Sequence, residues 1–327
     1  MSRDDRSFEN NILNRISPSD IRKYKKEAGY SYTLGAFPTL ELVDAMPDRV
    51  VEVLVHSSFT EKDMIIEKCR KASEKPIDDK PGKESEKLTG ENHGKTAEKP
   101  IGGKQDKAPD ALVRKTAYPG KMIPVRQDDK LIEKLSDKEN VYVVGVFEKY
   151  TCSLKENMRH LVLVNPSNMG NLGTIIRTAC GFGYYNLAII EPAADIFNPK
   201  TVRASMGSLF RIRHELFESF EAYFEKYCVP IDRQNAGKPE SENTLQNGRK
   251  SVRELFPFML DGSCSLTDAP KPEDVRFSLI FGNEATGLPK EFSQYGCPVR
   301  IEQTEFVDSL NLTIAAGIGM YNFMTVN

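Results

Sequence analysis

The segment Leu161–Phe182, LVLVNPSNMGNLGTIIRTACGF, leaves the chain few folds to choose from. It opens as an apolar run of the length of a buried strand, breaks at Asn-Pro, crosses a loop of Asn and Gly, and takes on a helical pattern from about Gly173. Strand, polar glycine-bearing loop and helix are the units from which open α/β sheets build sites at the carboxyl ends of their strands. Gly170 and Gly173 allow a sharp turn or the close approach of a ligand. The Asn168 and Asn171 amides can both donate and accept hydrogen bonds. Arg177 falls among apolar neighbours, where a guanidinium either snorkels to solvent or serves a site. The run Asn168-Met169-Gly170-Asn171-Leu172-Gly173 lacks the G-x-G-x-x-G spacing of dinucleotide-binding turns, and no G-x-x-x-x-G-K-[ST] run occurs.

The residues after 150 continue in the same style. Strands are expected at Leu161–Val164, Leu187–Ile190, a short stretch ending at Leu260, Phe277–Phe281 and Val299–Ile301. Helices are expected at about Gly173–Phe182, Ser219–Lys226 and Leu310–Phe323. Short buried strands alternating with helices make a parallel sheet covered on both faces. Phe277–Leu288, FSLIFGNEATGL, runs from a strand into Gly282-Asn283-Glu284, and Ile301–Tyr321 holds Asp308-Ser309-Leu310-Asn311 before a helix with Ala315, Ala316, Gly317 and Gly319. Taken alone, Gly262 and Gly282 are turn residues or places where backbone meets a ligand. Glu284 is an anion for a helix N-terminus or a site carboxylate. Ser309 reads as the cap of the last helix, with Asn311 in its first turn.

The first half alternates too: a helix near Thr39–Ala45, a strand at Val50–His56, a helix at Glu61–Ala72, an extended segment near Ile123–Arg126, a helix at Lys130–Leu135 and a strand at Val141–Phe147. That is a small α/β sandwich. The expected division is a small domain over 1–150, with a flexible, charge-dense insertion at about 73–116, and a larger one over 151–327, with a polar insertion at about 232–251. A length of 327 residues accommodates two such domains. Six cysteines without a C-x-x-C pair imply a cytoplasmic protein with reduced thiols and no zinc site. No apolar run is long enough to cross a bilayer and no signal peptide is evident, so no membrane role is expected. The formal net charge of −2 disfavours bulk attraction to nucleic acid, so phosphate contacts would need local clusters. Arg22, Lys23, Lys25 and Lys26 form one in a region expected to be helical, with Tyr24, Tyr30 and Tyr32 close by. They read as a solvated helix face or as a grip on RNA by phosphate contact and stacking.

The stretches containing Asn171, Glu284 and Ser309 resemble, in order and spacing, the three signature motifs of the SpoU/TrmH branch of the SPOUT methyltransferases. That branch methylates ribose 2′-hydroxyls of ribosomal or transfer RNA. The resemblance runs from about Arg159 to the C-terminus and extends more loosely to the first half. It implies a C-terminal α/β trefoil-knot domain preceded by a small, ribosomal-protein-like RNA-binding domain, and a homodimer through the knot, with which the small-residue last helix agrees. It implies S-adenosylmethionine as cofactor, held by the loops containing Asp261 and Gly262, Gly282, and Ile301 through Leu310. The catalytic Asn and Arg, six residues apart, fall on Asn171 and Arg177, with Asn168 the competing asparagine. Glu284, Ser309 and Asn311 complete the set. The family places the segment Val202–Ile212 near the site, which brings in Ser205 as a substrate contact, with Arg211 adding positive charge at the mouth. Arg177 is either a general base or a charged clamp for phosphate and alkoxide; deprotonating a guanidinium is costly, which favours the clamp. No cysteine falls on a motif position, and Cys180 reads as core, so a ribose rather than a base is the expected acceptor. A catalytically idle relative that binds RNA or protein is the alternative.

Overall fold

A computed structural model of the chain describes residues 21–74, 122–229 and 253–324. Most of the insertion expected at 73–116, and all of that at 232–251, lies outside the described residues. The first half contains β1 (Tyr30–Tyr32), α1 (Ala36–Ala45), β2 (Val50–Val55), α2 (Lys62–Glu74), β3 (Val125–Gln127), α3 (Asp129–Leu135) and β4 (Val143–Glu148). Its four strands run in the order β1-β4-β2-β3, with β4 antiparallel to β1 and β2, and β3 parallel to β2. Strand alternation divides the apolar residues between two faces. Val53, Val55 and Phe147 pack toward α1 and α2, while Leu54, Val144 and Val146 pack with Ile132 and Leu135 of α3.

The second half contains β5 (His160–Val164), α4 (Met169–Gly181), β6 (Asn186–Ile190), α5 (Pro199–Ala204), β7 (Arg213–Phe217), α6 (Phe220–Tyr227), β8 (Glu254–Pro257), β9 (Cys264–Ser265), β10 (Phe277–Phe281), β11 (Val299–Arg300) and α7 (Leu312–Asn322). Five parallel strands lie in the order β7-β6-β5-β10-β8. Each inner strand is buried throughout, which is why these runs are continuously apolar. The chain leaves β5 toward β6 on one side and later inserts β10 on the other. Strand order therefore reverses at β5, where open α/β sheets form a crevice outside the carboxyl ends.

The two sheets share one core. A single buried cluster takes in Leu42, Val53 and Phe147 from the first and Leu161, Ile176 and Phe210 from the second. Ser31 Oγ donates to the Phe197 carbonyl (2.5 Å), Tyr150 Oη donates to the Leu209 carbonyl (3.1 Å), and Arg211 Nε donates to Glu41 (2.6 Å). Tyr150, Cys152 and Leu154, on either side of the expected division, are all buried. Among the described residues no helix is long and apolar enough to cross a membrane.

Several local expectations are corrected. Residues 22–26 form an irregular turn rather than a helix. Tyr30 and Tyr32 belong to a strand and are buried, so neither can stack on a base. Helix α4 begins at Met169, four residues before Gly173, because Asn168 caps it by accepting from the Gly170 and Asn171 amides (2.8 and 3.0 Å). The strand expected to end at Leu260 is regular only to Pro257. The sequence pattern marks none of β1, β7, β9 and α5.

Candidate active site

Three loops meet at the carboxyl edge of the second sheet. The one after β5 leaves through Asn165, held in the left-handed region at φ 52°, a conformation asparagine adopts more readily than most residues. The Asn283 side chain, just beyond β10, donates to the Asn165 carbonyl (2.7 Å) and accepts from the Ala285 amide (2.8 Å). The β5 and β10 loops are thus tied together beside the switch point.

Glu284 makes the second tie. One carboxylate oxygen accepts from the Ser167 amide (2.9 Å) and hydroxyl (2.8 Å). The other accepts from the Asn168 amide (3.1 Å) and from Asn171 Nδ2 (3.2 Å). Burial pushes this carboxyl up, but the hydrogen bonds from Ser167 and Asn168 prevail and hold it below its ordinary range. The two asparagines divide the work: Asn168 caps the helix and Asn171 bonds to the acid. Six residues after Asn171, about 9 Å along the axis, Arg177 is exposed and has no hydrogen bond or ion pair among the described residues.

The third loop joins through β11. The Met259 amide donates to the Val299 carbonyl (2.9 Å), and an Arg300 guanidinium nitrogen donates to the Gly262 carbonyl (2.9 Å). Gly262 and Gly282 are both required by the protein itself. A Cβ on Gly262 would stand 2.6 Å from the Val299 carbonyl carbon, and one on Gly282 would stand 2.1 Å from that of Gly287. Their smallness admits neighbouring backbone. Asp261 is exposed, and Ile301 and Leu310 are half-buried on the same group of loops. Below them Phe258 and Phe281 stack at 4.4 Å, and Gly319 of α7 fits against both rings.

Asn311, not Ser309, caps α7, accepting from the Thr313 amide (2.9 Å) and hydroxyl. Ser309 is exposed two residues earlier. Ser205 is fully buried, its hydroxyl donating to the Val202 carbonyl (2.7 Å), so it is not presented to a substrate. Arg211 is paired with Glu41 and joins the two halves. Gly173 is buried where α4 crosses α5, with 2.5 Å from a built Cβ to both Ala204 Cβ and the Thr201 carbonyl; it serves helix packing. Arg22, Lys23, Lys25 and Lys26 are exposed. Ser167 and Asn283, which assemble the loops, were not singled out; a serine beside Asn168 and the Asn preceding Glu284 were the available signals. No group of three or more His, Cys, Asp and Glu side chains among the described residues could hold a metal ion.

The sequence pattern of the SpoU rRNA Methylase family matches residues 158–321, and the chain belongs to that family. It is 29% identical over 162 residues to an uncharacterized tRNA/rRNA methyltransferase of Synechocystis sp., covering 49% of this chain and 51% of the relative. It is 27% identical over 174 residues to the 23S rRNA (guanosine(2553)-2'-O)-methyltransferase RlmP of Bacillus subtilis, covering 50% and 57%. The chain thus spans about half the length of these curated relatives. Its fold matches that of the SpoU methyltransferase AviRb from Streptomyces viridochromogenes, solved in complex with the cofactor AdoMet, with a TM-score of 0.59 at 19% identity over 99% of this chain and 98% of that one.

Proposed function

We propose that this protein transfers a methyl group from S-adenosylmethionine to the 2′-hydroxyl of a ribose in ribosomal or transfer RNA. The carrying observation is the Glu284 clamp, which fixes Asn171 and the start of α4 while Arg177, exposed on the same helix, is unpaired among the described residues. Family membership, the 2'-O-methyltransferase named among the relatives and the cofactor-bound structure of the same fold support it.

The loops at the carboxyl edge suit the cofactor. Half-buried Ile301 and Leu310 and exposed Leu260 offer apolar surface, Asp261 offers a carboxylate for hydroxyl groups, and Gly262 and Gly282 keep the loop backbones packed edge to edge. S-adenosylmethionine supplies an electrophilic methyl group there. The protein's share of the chemistry is placement and charge. Glu284 stays ionised and holds Asn171 still, so the Asn171 amide keeps its remaining hydrogen-bonding capacity for the ribose. Arg177, as a cation, takes an RNA phosphate and stabilises the alkoxide that develops as the hydroxyl attacks. Ser309 and Asn311 border the site from the last loop.

The first half is the proposed RNA-presenting part and the second the catalytic part. The compartment proposed is the cytoplasm, in keeping with six free cysteines. A homodimer through the second half is also proposed. Helix α7 exposes Ile314, Ile318 and Tyr321 (55%, 37% and 64%), spaced to lie on one face.

Radiolabelled S-adenosylmethionine and unmodified ribosomal and transfer RNA transcripts test the reaction. Nuclease digestion is expected to release a nucleoside whose label stays with the sugar after the glycosidic bond is broken. Label on the free base would refute the ribose assignment. Calorimetry showing no S-adenosylmethionine binding would instead identify an idle relative.

A further inference from the structure

The exposed turn Arg22–Lys26 is fastened at both ends of its reach, to the first sheet and to the loops of the catalytic edge. On the near side, the Arg22 amide donates to Tyr30 Oη (2.6 Å) and the Tyr24 amide to Tyr32 Oη (3.1 Å). The tyrosines that burial removes from base stacking therefore hold the turn's backbone. On the far side, Tyr24 Oη donates to the Asp195 carboxylate, whose other oxygen accepts from the Phe197 amide (2.9 Å). Lys149 completes the contact. Its Nζ lies 4.6 Å from the Tyr24 ring centroid and donates to the Lys26 carbonyl (2.8 Å).

Asp195 follows β6, and its loop reaches the active site directly. The Ala194 amide donates to the Pro166 carbonyl (2.6 Å), and the next residue, Ser167, bonds to Glu284. The second half also adds charge to the turn. Lys23 bonds Asp137 at 2.6 Å and holds its carboxyl below the ordinary range, with a smaller contribution from the charge of Lys200, exposed at the start of α5 five residues beyond Asp195. Both halves thus send lysines to one surface.

We propose that the Tyr24–Asp195 contact is a positioning device that holds the basic turn against the catalytic edge, so that Lys23, Lys25, Lys26 and Lys200 form one track for the RNA phosphate backbone. It rests on the RNA-methylation reading and adds the join between the halves as the place where RNA is gripped. Tyr24 and Asp195 are positioning residues and touch no reacting atom. Lys200 is a phosphate contact that the sequence pattern did not mark.

Tyr24→Phe in the full chain removes one hydroxyl and keeps the ring beneath Lys149. It is expected to raise KM for an unmodified ribosomal RNA transcript about tenfold, as for loss of a hydrogen bond to a charged group, with kcat and S-adenosylmethionine affinity kept. Asp195→Ala is expected to do the same, and the double variant to be no worse than either single one, because both break one contact. Lys200→Ala is expected to reduce the salt slope of oligouridylate binding by about 0.7, the value of one single-strand phosphate contact. An unchanged KM in Tyr24→Phe, additive losses in the double variant, or an unchanged slope in Lys200→Ala would overturn the proposal. If the wild type methylates no RNA, the functional reading fails separately. Oligouridylate affinity of the wild type against Tyr24→Phe then still reads the contact, with equal affinities counting against it.

Discussion

The Glu284 carboxylate accepts from Ser167 twice, from Asn168 and from Asn171, so every group facing it is a donor. An amide of the same shape would turn an NH2 toward some of those donors and leave them unpaired. Glu284→Gln is therefore expected to loosen the clamp at a modest cost of about 1 kcal/mol, because Ser167 and Asn168 are exposed and water can meet the donors that the amide does not. Urea denaturation checks the loss, and methyl transfer should fall with it. The depressed carboxyl has a definite sign: its stabilising effect is present above the ordinary glutamate range and is lost as pH falls through the lower folded value. Arg177 is the opposite kind of residue, exposed and, among the described residues, unpaired. Arg177→Ala is expected to leave the melting temperature and S-adenosylmethionine affinity unchanged while methyl transfer is lost, and parallel binding and transfer assays separate the two. The six-residue spacing that singles out Asn171 is legible in the sequence, whereas the division of labour with Asn168 needs the helix start. The cap reads from sequence as Ser309 with Asn311 in the first turn, whereas Asn311 caps and Ser309 lies outside the helix, because a cap depends on backbone angles that residue type alone does not fix.

At the level of strands, helices and loops, the inner parallel strands were the easiest to read, since burial on both faces leaves an uninterrupted apolar run. β7, with the sequence RHELF, escaped because it lies at the sheet's edge and carries charge. β1 escaped because three residues give too little periodicity, and its tyrosines suggested a surface role instead. The glycines were recognised as special, but their partners were not, since those partners lie far away in sequence. Gly282→Val is accordingly expected to damage the fold of the loop and not the cofactor's contacts alone, because the added atoms meet the Gly287–Leu288 backbone. A lowered melting temperature without ligand is the expected result. Gly173→Ala should likewise force α4 from α5, costing about 1–3 kcal/mol as in other overpacked cores, measurable by chemical denaturation.

Across the whole molecule, the shared core makes stability a joint property of the two sheets. His214 of β7 shows this, lying edge-on to Tyr150 (4.9 Å) and Phe197 (5.2 Å), with burial pushing its pKa down to about 4. The unfolded chain, with an ordinary histidine, binds this proton more readily. Stability is thus full above about pH 6.5 and declines as pH falls toward about 4, with about 2 kcal/mol lost by pH 5. In His214→Phe the difference in urea stability between pH 7 and pH 5 is expected to shrink by that amount. Aspartates at Ile314 and Ile318 should, in turn, convert a dimer to monomers in sedimentation while leaving the folded spectrum intact. The same continuity limits how such a protein can change its target. With Glu41 Cβ 2.4 Å from where a side chain on Gly207 would begin, and Arg211 ion-paired across the join, the first half is not an exchangeable cartridge. Grafting another in its place would open a core, so on the proposed reading new specificity is expected from substitutions on the exposed turn, where lysines can be gained or lost without disturbing what lies beneath.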